Sequence, residues 1–482
     1  MSIFDKSIIC AILSGFCAFD IVSAASASQT VLDIGSRWEP FVDSFLVAQS
    51  EGVALKLQTP VKREIALVMD EPWEGISGAY VSAVQDDGKV LLYYRGSAQL
   101  RSDADPEQTT CVAFSKDGVN FEKPSLGIVE INGSTANNVI LQGSVSHNFT
   151  VFLDTRPGVA AENRFKALGG VKKPGKGTNL EREGGLFAFV SADGVHWRKM
   201  SERPVITTGA FDSQNLAFWD SARNCYVCYS RTIVERKRAI QSCLSDDFMS
   251  WSAPQVNKYH GGVPLEHFYT SATLPCPAAP HIYLAFPMRF IEGRQKIATH
   301  KVKGVSDAVF MSSRDGVNWD RPFLEAWVRP GLDQQNWTDR NTMPAYGIVE
   351  SAPGEWSMYV SEHYRHADNR LRRVTVRKLG FSSMRAGARK GEFTTKPLRF
   401  QGEELVLNYA TSAAGVIKVE VQYATGTPIP GFGMDDAAEL FGDELEGVTL
   451  WRNGGSLKRL EGQTVKLRFS MRDADLFAVR FR

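Results

Sequence analysis

Ser115-Lys116-Asp117-Gly118-Val119-Asn120-Phe121 is the stretch that decides the fold, because it returns. It recurs as Ser191-Ala192-Asp193-Gly194-Val195-His196-Trp197 and as Ser313-Arg314-Asp315-Gly316-Val317-Asn318-Trp319, with a degraded copy at Ser245-Asp246-Asp247-Phe248-Met249-Ser250-Trp251. Each copy follows an apolar, strand-like run. Asp-Gly reverses the chain and the aromatic that follows packs back on the sheet, so each copy reads as a hairpin. A unit repeated at long spacing, with scarce helical periodicity, predicts stacked or radially arranged β-sheets.

Four copies predict four blades. A fifth unit lacks the motif but keeps the strands, from Thr342 to Leu379. Inner strands are expected at Ala79 to Gln85, Phe149 to Asp154, Leu216 to Asp220, Phe268 to Leu274 and Met343 to Val349. Each is followed by a second strand and then by the hairpin. The expected fold is all-β, a five-bladed β-propeller followed by a small C-terminal β-sandwich. The expected division is a signal peptide over 1–24, an N-terminal extension over 25–70, a catalytic propeller over 71–385 and the sandwich over 394–482. Arg385 to Lys390 reads as a linker. Phe41 to Val47 reads as a strand that closes the ring or lies across it.

The chain has 482 residues, a net charge of +1 and 23% charged residues, so no broad basic surface points to nucleic acid or an anionic membrane. Lys6, the apolar run Ser7 to Ile21 and the small residues Ser23-Ala24-Ala25-Ser26-Ala27 read as a secretory signal, placing the protein outside the cell or in the periplasm. No later stretch is long and apolar enough for a helical membrane span. Cys111, Cys225, Cys228, Cys243 and Cys276 form no regular disulfide or metal pattern. Cys225 and Cys228 are three apart in a strand and face opposite sides. Oligomeric state has no sequence signal.

In a propeller the starts of the inner strands gather at one mouth of the central channel. The residues before them are Trp73-Glu74, His147-Asn148, Asp212, Glu266-His267, and Trp337 with Arg340-Asn341. The second strands end at the same mouth and bring Arg95, Arg231, Arg289 and Glu362. Carboxylates converging on one pocket suit glycoside cleavage, which needs one acid protonated and another ionised. Trp73 and Trp337 offer flat faces for sugar rings. The arginines suggest an anionic glycan, since guanidinium matches carboxylate and sulfate groups.

The arrangement resembles the five-bladed propeller glycoside hydrolases related to families 32 and 43 over about residues 65–385. That resemblance implies Glu266 as general acid, Asp212 as stabiliser of the sugar and Glu74 as base or nucleophile, with Asp43 and Asp70 competing for the last role. Phe41-Val42-Asp43, Pro72-Trp73-Glu74-Gly75, His147-Asn148-Phe149 and Phe211-Asp212-Ser213-Gln214-Asn215 are most similar to a secreted, planctomycete-type group known only as glycosidase-like. The expectation is a secreted glycoside hydrolase with a carbohydrate substrate. A non-catalytic glycan-binding propeller and a glycoside phosphorylase are the alternatives. No cofactor is called for; a channel calcium would suit the acids, but no ligand spacing requires one.

Overall fold

The computed structural model describes residues 30–97, 107–171, 184–452 and 454–482. The expected signal peptide lies outside the described residues. No helix among the described residues is long and apolar enough to cross a membrane.

Five sheets radiate around one axis. Blade one is Ala79–Asp86, Lys89–Gly96, Thr109–Ser115 and Val139–Gln142. Blade two is Thr150–Leu153, Phe165–Gly169, Phe187–Ser191 and Arg198–Lys199. Blade three is Leu216–Asp220, Cys225–Val234, Lys237–Ser245 and Gln255–Val256. Blade four runs Thr273–Cys276, Ala279–Ala285, Met311–Ser313 and Asn318–Asp320, with Lys258–Tyr259 added in parallel at its edge. Its middle strands continue upward as a hairpin, Met288–Ile291 with Val305–Ala308. Blade five is Val349–Ala352, Glu355–Glu362 and Arg370–Arg377, completed by Val61–Val68.

The last pairing closes the ring. The closing strand comes from the N-terminal segment, but it is Val61–Val68 and not Phe41 to Val47. Val47–Glu51 pairs instead with Gly391–Thr395 in the second domain. Two inner strands also begin later than expected, at Thr273 and Val349, because the residues before them form irregular segments at the mouth.

The repeated motif latches one blade to the next. In the first copy the Ser115 hydroxyl accepts from the Gly118 N–H at 2.9 Å, and Asp117 accepts from the Val119 and Asn120 N–H groups at 2.8 and 2.9 Å. The turn glycine is left-handed, φ +71° at Gly118 and +78° at Gly194. Its carbonyl accepts a tyrosine hydroxyl from the preceding blade: Tyr93 onto Gly194 at 3.0 Å, Tyr229 onto Gly316 at 2.7 Å and Tyr359 onto Gly118 at 2.6 Å. A Cβ at Gly194 would overlap the Tyr93 hydroxyl, so the glycine is required by the latch as well as by the turn. In the degraded copy Phe248 takes this place at φ +68° and is fully buried against Phe152 and Tyr226. The repeat is therefore an inter-blade joint on the face opposite the mouth.

The second domain is a ten-stranded sheet folded around its own apolar core, which includes Ile34, Phe393, Val419, Phe469 and Phe481. Its backbone is the long antiparallel pair Leu405–Tyr423 and Val465–Phe481. Leu32–Gly35, Glu39–Pro40, Val47–Glu51 and Val53–Leu57 also belong to it. Ser382–Ala386 pairs with Val53–Leu57 and with the last strand, so Arg385 lies inside this sheet and not in a linker. The domain packs on the propeller through Trp38, Val42, Phe381, Val406 and Ala478, which share one core with blades two to five. A buried ion network crosses the same seam: Arg314 bridges Glu39 at 3.0 Å and Asp43 at 2.8 Å, and His281 reaches Glu39 at 3.0 Å.

Candidate active site at the propeller mouth

All five blades contribute to one polar cluster, but its members differ from the expected set. Arg95 ends the second strand of blade one. Its Nη2 donates to the Ser77 carbonyl at 2.8 Å and to the Tyr364 hydroxyl at 3.1 Å, and its Nη1 lies 3.4 Å from His147 Nδ1. The guanidinium stacks 4.7 Å from the centre of the Tyr80 ring. From blade three, Arg231 pairs with Asp212 and lies 5.3 Å from the Tyr269 ring centre. From blade five, Arg340 donates from Nε to the Tyr269 hydroxyl at 2.9 Å.

Arg340 is itself held. The buried carboxylate of Asp339 accepts from Arg340 and from Arg365 at 3.0 Å each, and its other oxygen meets His300 Nε2 at 2.8 Å. His300 sits on the tall hairpin of blade four and stacks against His366 at 5.7 Å. Blade four is thus clamped over blade five beside the mouth. Among the described residues of this cluster, Arg95, Arg231, Arg340 and Arg365 outnumber Asp212 and Asp339, so the site is cationic.

The electrostatics follow from that excess. Burial raises the Tyr269 phenol, but Arg340 and Arg231 outweigh it and hold the group below its ordinary value. Tyr364 is treated alike: burial raises it, while Arg95, Arg340 and Arg365 hold it down. Tyr80 goes the other way, pushed up by burial and by the neighbouring Tyr269. Burial, then Arg95, Arg231 and Arg340, hold His147 well below the usual histidine range and therefore neutral. Of these adjacent phenols, Tyr269 and Tyr364 are thereby made more acidic and Tyr80 less.

The backbone at the mouth is strained. Tyr80, Ala272, Arg340, Thr342, His363 and Arg365 all have left-handed φ, between +41° and +68°. Non-glycine residues in this region cost about 1–3 kcal/mol each and persist where the surrounding structure over-determines them. At Tyr80 the strain lies in the irregular pairing between Ala79 and Ser82, and the ring packs against Arg95 and His147.

The remaining expected residues have other work. Glu74 is fully buried, and both of its oxygens are occupied, one by the Tyr94 hydroxyl and one by Lys123 at 2.7 Å and the Glu71 N–H at 3.0 Å. Glu266 sits between Arg289 at 3.1 Å and Arg321 at 2.6 Å, and Arg289 is further bound by both oxygens of Asp307. Both carboxylates are therefore held in ion pairs. Asp43 is bound to Arg314 at the seam between the domains, on the opposite face. Asp70 pairs with Lys123.

Glu362 is taken up by Arg372, Arg370 and Lys62. Asn148 bonds the backbone of Gly170 and Phe211, and Asn341 that of Gln335 and Tyr364, so both tie loops. His267 Nδ1 lies 3.2 Å from Arg238 Nη1. Trp73 donates to Asn138 at 2.8 Å and packs on the core of blade one; Trp337 donates to the Gly331 carbonyl at 2.8 Å. Of the three expected catalytic acids Asp212 is the most exposed, its side chain at 38% against 18% for Glu266 and none for Glu74. Tyr80, Tyr269, Tyr364, Asp339 and Arg365 were not expected. Tyr80 lies in an apolar run, whereas Tyr269 and Tyr364 follow His267-Phe268 and Glu362-His363 in polar stretches.

Neither a protein-family model nor a curated protein matches this chain. Several solved structures resemble it in fold. One, a complex of BT0996 with RGII, gives a TM-score of 0.45 at 11% identity, covering 67% of this chain and 92% of its own. A glycosyl hydrolase from Bacteroides ovatus gives 0.40 at 12%, covering 71% and 93%. A structure from the GH130 family of mannoside phosphorylases, which contains hydrolases of β-1,2 mannosidic linkages in Candida mannan, gives 0.41 at 13%, covering 72% and 96%. At these identities no residue role is carried over from them.

Proposed function

We propose that this protein is a secreted enzyme that cleaves glycosidic bonds of an acidic oligo- or polysaccharide at the propeller mouth. The observation that carries the reading is the convergence of Arg95, Arg231 and Arg340, from three blades, on one set of tyrosines. Burying guanidinium groups together is costly unless an anion offsets them. The Nε–H groups of Arg95 and Arg231 are buried and find no acceptor among the described residues. An acidic sugar supplies the missing charge through paired, charge-assisted hydrogen bonds. Asp212 stands at the rim, where it can accept from sugar hydroxyls. The strained backbone around the mouth supports a functional role over a merely structural one.

Hydrolysis by two facing carboxylates needs a second free acid, and both Glu74 and Glu266 are engaged elsewhere. That same fact favours a second reading, a propeller that binds acidic glycan without cleaving it. The two separate in one experiment. The purified protein is incubated with acidic and neutral polysaccharides, with and without inorganic phosphate, and chain length and new reducing ends are followed. Shortening of acidic polymers without a phosphate requirement is expected. Tight binding with no shortening of any polymer leaves only the second reading.

A further inference from the structure

Tyr269 is the group at the mouth that the expected chemistry leaves unused. Its hydroxyl accepts from Arg340 Nε at 2.9 Å. The guanidinium groups of Arg231, Arg238 and Arg340 lie 5.3, 5.3 and 5.2 Å from its ring centre. The ring is seated against Phe290 at 5.8 Å and only 5% of the residue is exposed, so the oxygen is held in place. Its neighbour Tyr80 donates its hydroxyl proton to the Asp212 carbonyl at 3.2 Å. No general acid–base assignment uses a free carboxylate pair here, whereas an anion site and an activated phenol share one guanidinium.

Resting on the reading of the site as an acidic-glycan cleaving centre, we infer that the substrate is a uronate-containing glycan cut by β-elimination, with Tyr269 as the proton-transferring catalytic residue. The geometry supplies each part. A substrate carboxylate held by Arg340 and Arg231 shares the Arg340 guanidinium with the Tyr269 oxygen. Its α-carbon therefore falls beside that oxygen. Neutralising the carboxylate makes the α-hydrogen acidic, because the charge that builds on the carboxyl group in the transition state is met by fixed cations.

The Tyr269 phenolate takes the α-proton. The electron pair of the broken C–H bond forms a double bond between the α and β carbons. The bond from the β-carbon to the bridging oxygen breaks, and that oxygen takes the proton back from Tyr269. No water, metal or redox partner is consumed, and the phenolate is restored. A base must be ionised at the working pH to act in this way, and the cations around Tyr269 favour its ionised form.

The test uses the full chain with polygalacturonate, alginate and hyaluronate as probes. Products are followed by the ultraviolet absorbance of the new double bond and by mass, in water enriched in heavy oxygen. The expected product carries an unsaturated non-reducing end and no oxygen from solvent. Tyr269→Phe is expected to lower its rate by about 100-fold or more while probe binding is kept, since the ring and its seat remain. Saturated products carrying solvent oxygen overturn the elimination and leave glycosidic cleavage standing. A Tyr269→Phe variant that retains the full rate of unsaturated product overturns the role of Tyr269. Failure to cleave any acidic probe overturns both this inference and the reading it rests on.

Discussion

Arg340 Nε lies 2.9 Å from the hydroxyl of Tyr269, although 71 residues and a whole blade separate them in the chain. The contact joins the fourth and fifth blades across the mouth. It also sets the charge state of the site, because a guanidinium at that distance favours phenolate over phenol. Asp339 fixes Arg340 from behind, so the relationship is part of a chain running Tyr269, Arg340, Asp339, His300.

Replacing Arg340 by Gln removes one of the two leading cationic influences on Tyr269 and leaves its burial intact. Tyr269 is therefore expected to ionise at higher pH in Arg340→Gln than in the native protein. A spectrophotometric tyrosine titration of the two proteins checks this, with Tyr269→Phe identifying the transition. Coincident curves would show that Arg340 does not govern the phenol.

Stability should fall on mild acidification because of His147. Its folded value is depressed, so between that value and the ordinary unfolded value of about 6.5 the unfolded chain binds a proton that the folded chain refuses. Its contribution is full above about pH 6.5 and declines as the pH falls below it. Urea midpoints at about pH 7.5 and about pH 5.5, on either side of that value, should differ more for the native protein than for His147→Gln. An unchanged difference would mean that other groups carry the acid sensitivity.

Glu266→Gln should damage stability more than chemistry. The substitution takes the charged partner from Arg321, whose side chain is fully buried, and from Arg289. Removing one member of such a pair costs about 3 kcal/mol, because a buried charge is left behind. Denaturant unfolding should show that loss, while the folded enzyme keeps its turnover. A stable Glu266→Gln protein without activity would return Glu266 to the catalytic role that its sequence position suggests.

Gly194→Ala should break the latch between blades one and two. The new methyl runs into the Tyr93 hydroxyl and the residue keeps φ near +78°. Overpacking and left-handed strain together predict a loss of about 1–3 kcal/mol. Differential scanning calorimetry should show a lowered transition. Tyr93→Phe in the same background should relieve part of it, since the clash is with the hydroxyl.

The propeller was legible because its joint is local: serine, aspartate and glycine bond within four residues, and the copies repeat. Closure by Val61–Val68 was not, since that strand finds Arg370–Arg377 some 300 residues away through backbone pairing that leaves no sequence signature. The mouth was half legible. That Arg95, His147, Asp212, Arg231 and Arg340 lie close together was legible because strand starts and ends gather there. Tyr80 was missed because a tyrosine in an apolar strand looks like core, and Tyr269 and Tyr364 because their polar surroundings in sequence give no sign that the rings are buried. That Glu74 and Glu266 are paired was not legible, because Lys123, Arg289 and Arg321, which occupy them, come from loops and hairpins whose approach only the folded chain defines.

The central claim is that guanidinium groups at the mouth recognise a sugar carboxylate during cleavage. The most direct measurement compares one acidic polysaccharide with its own carboxyl-reduced form, using native protein and Arg340→Gln. The account predicts cleavage of the acidic form alone, with a rate lowered at least about tenfold in Arg340→Gln, in keeping with about 1.5–3 kcal/mol for a charged hydrogen bond. Equal cleavage of both forms, or an Arg340→Gln protein that cuts the acidic form at the native rate, would contradict it.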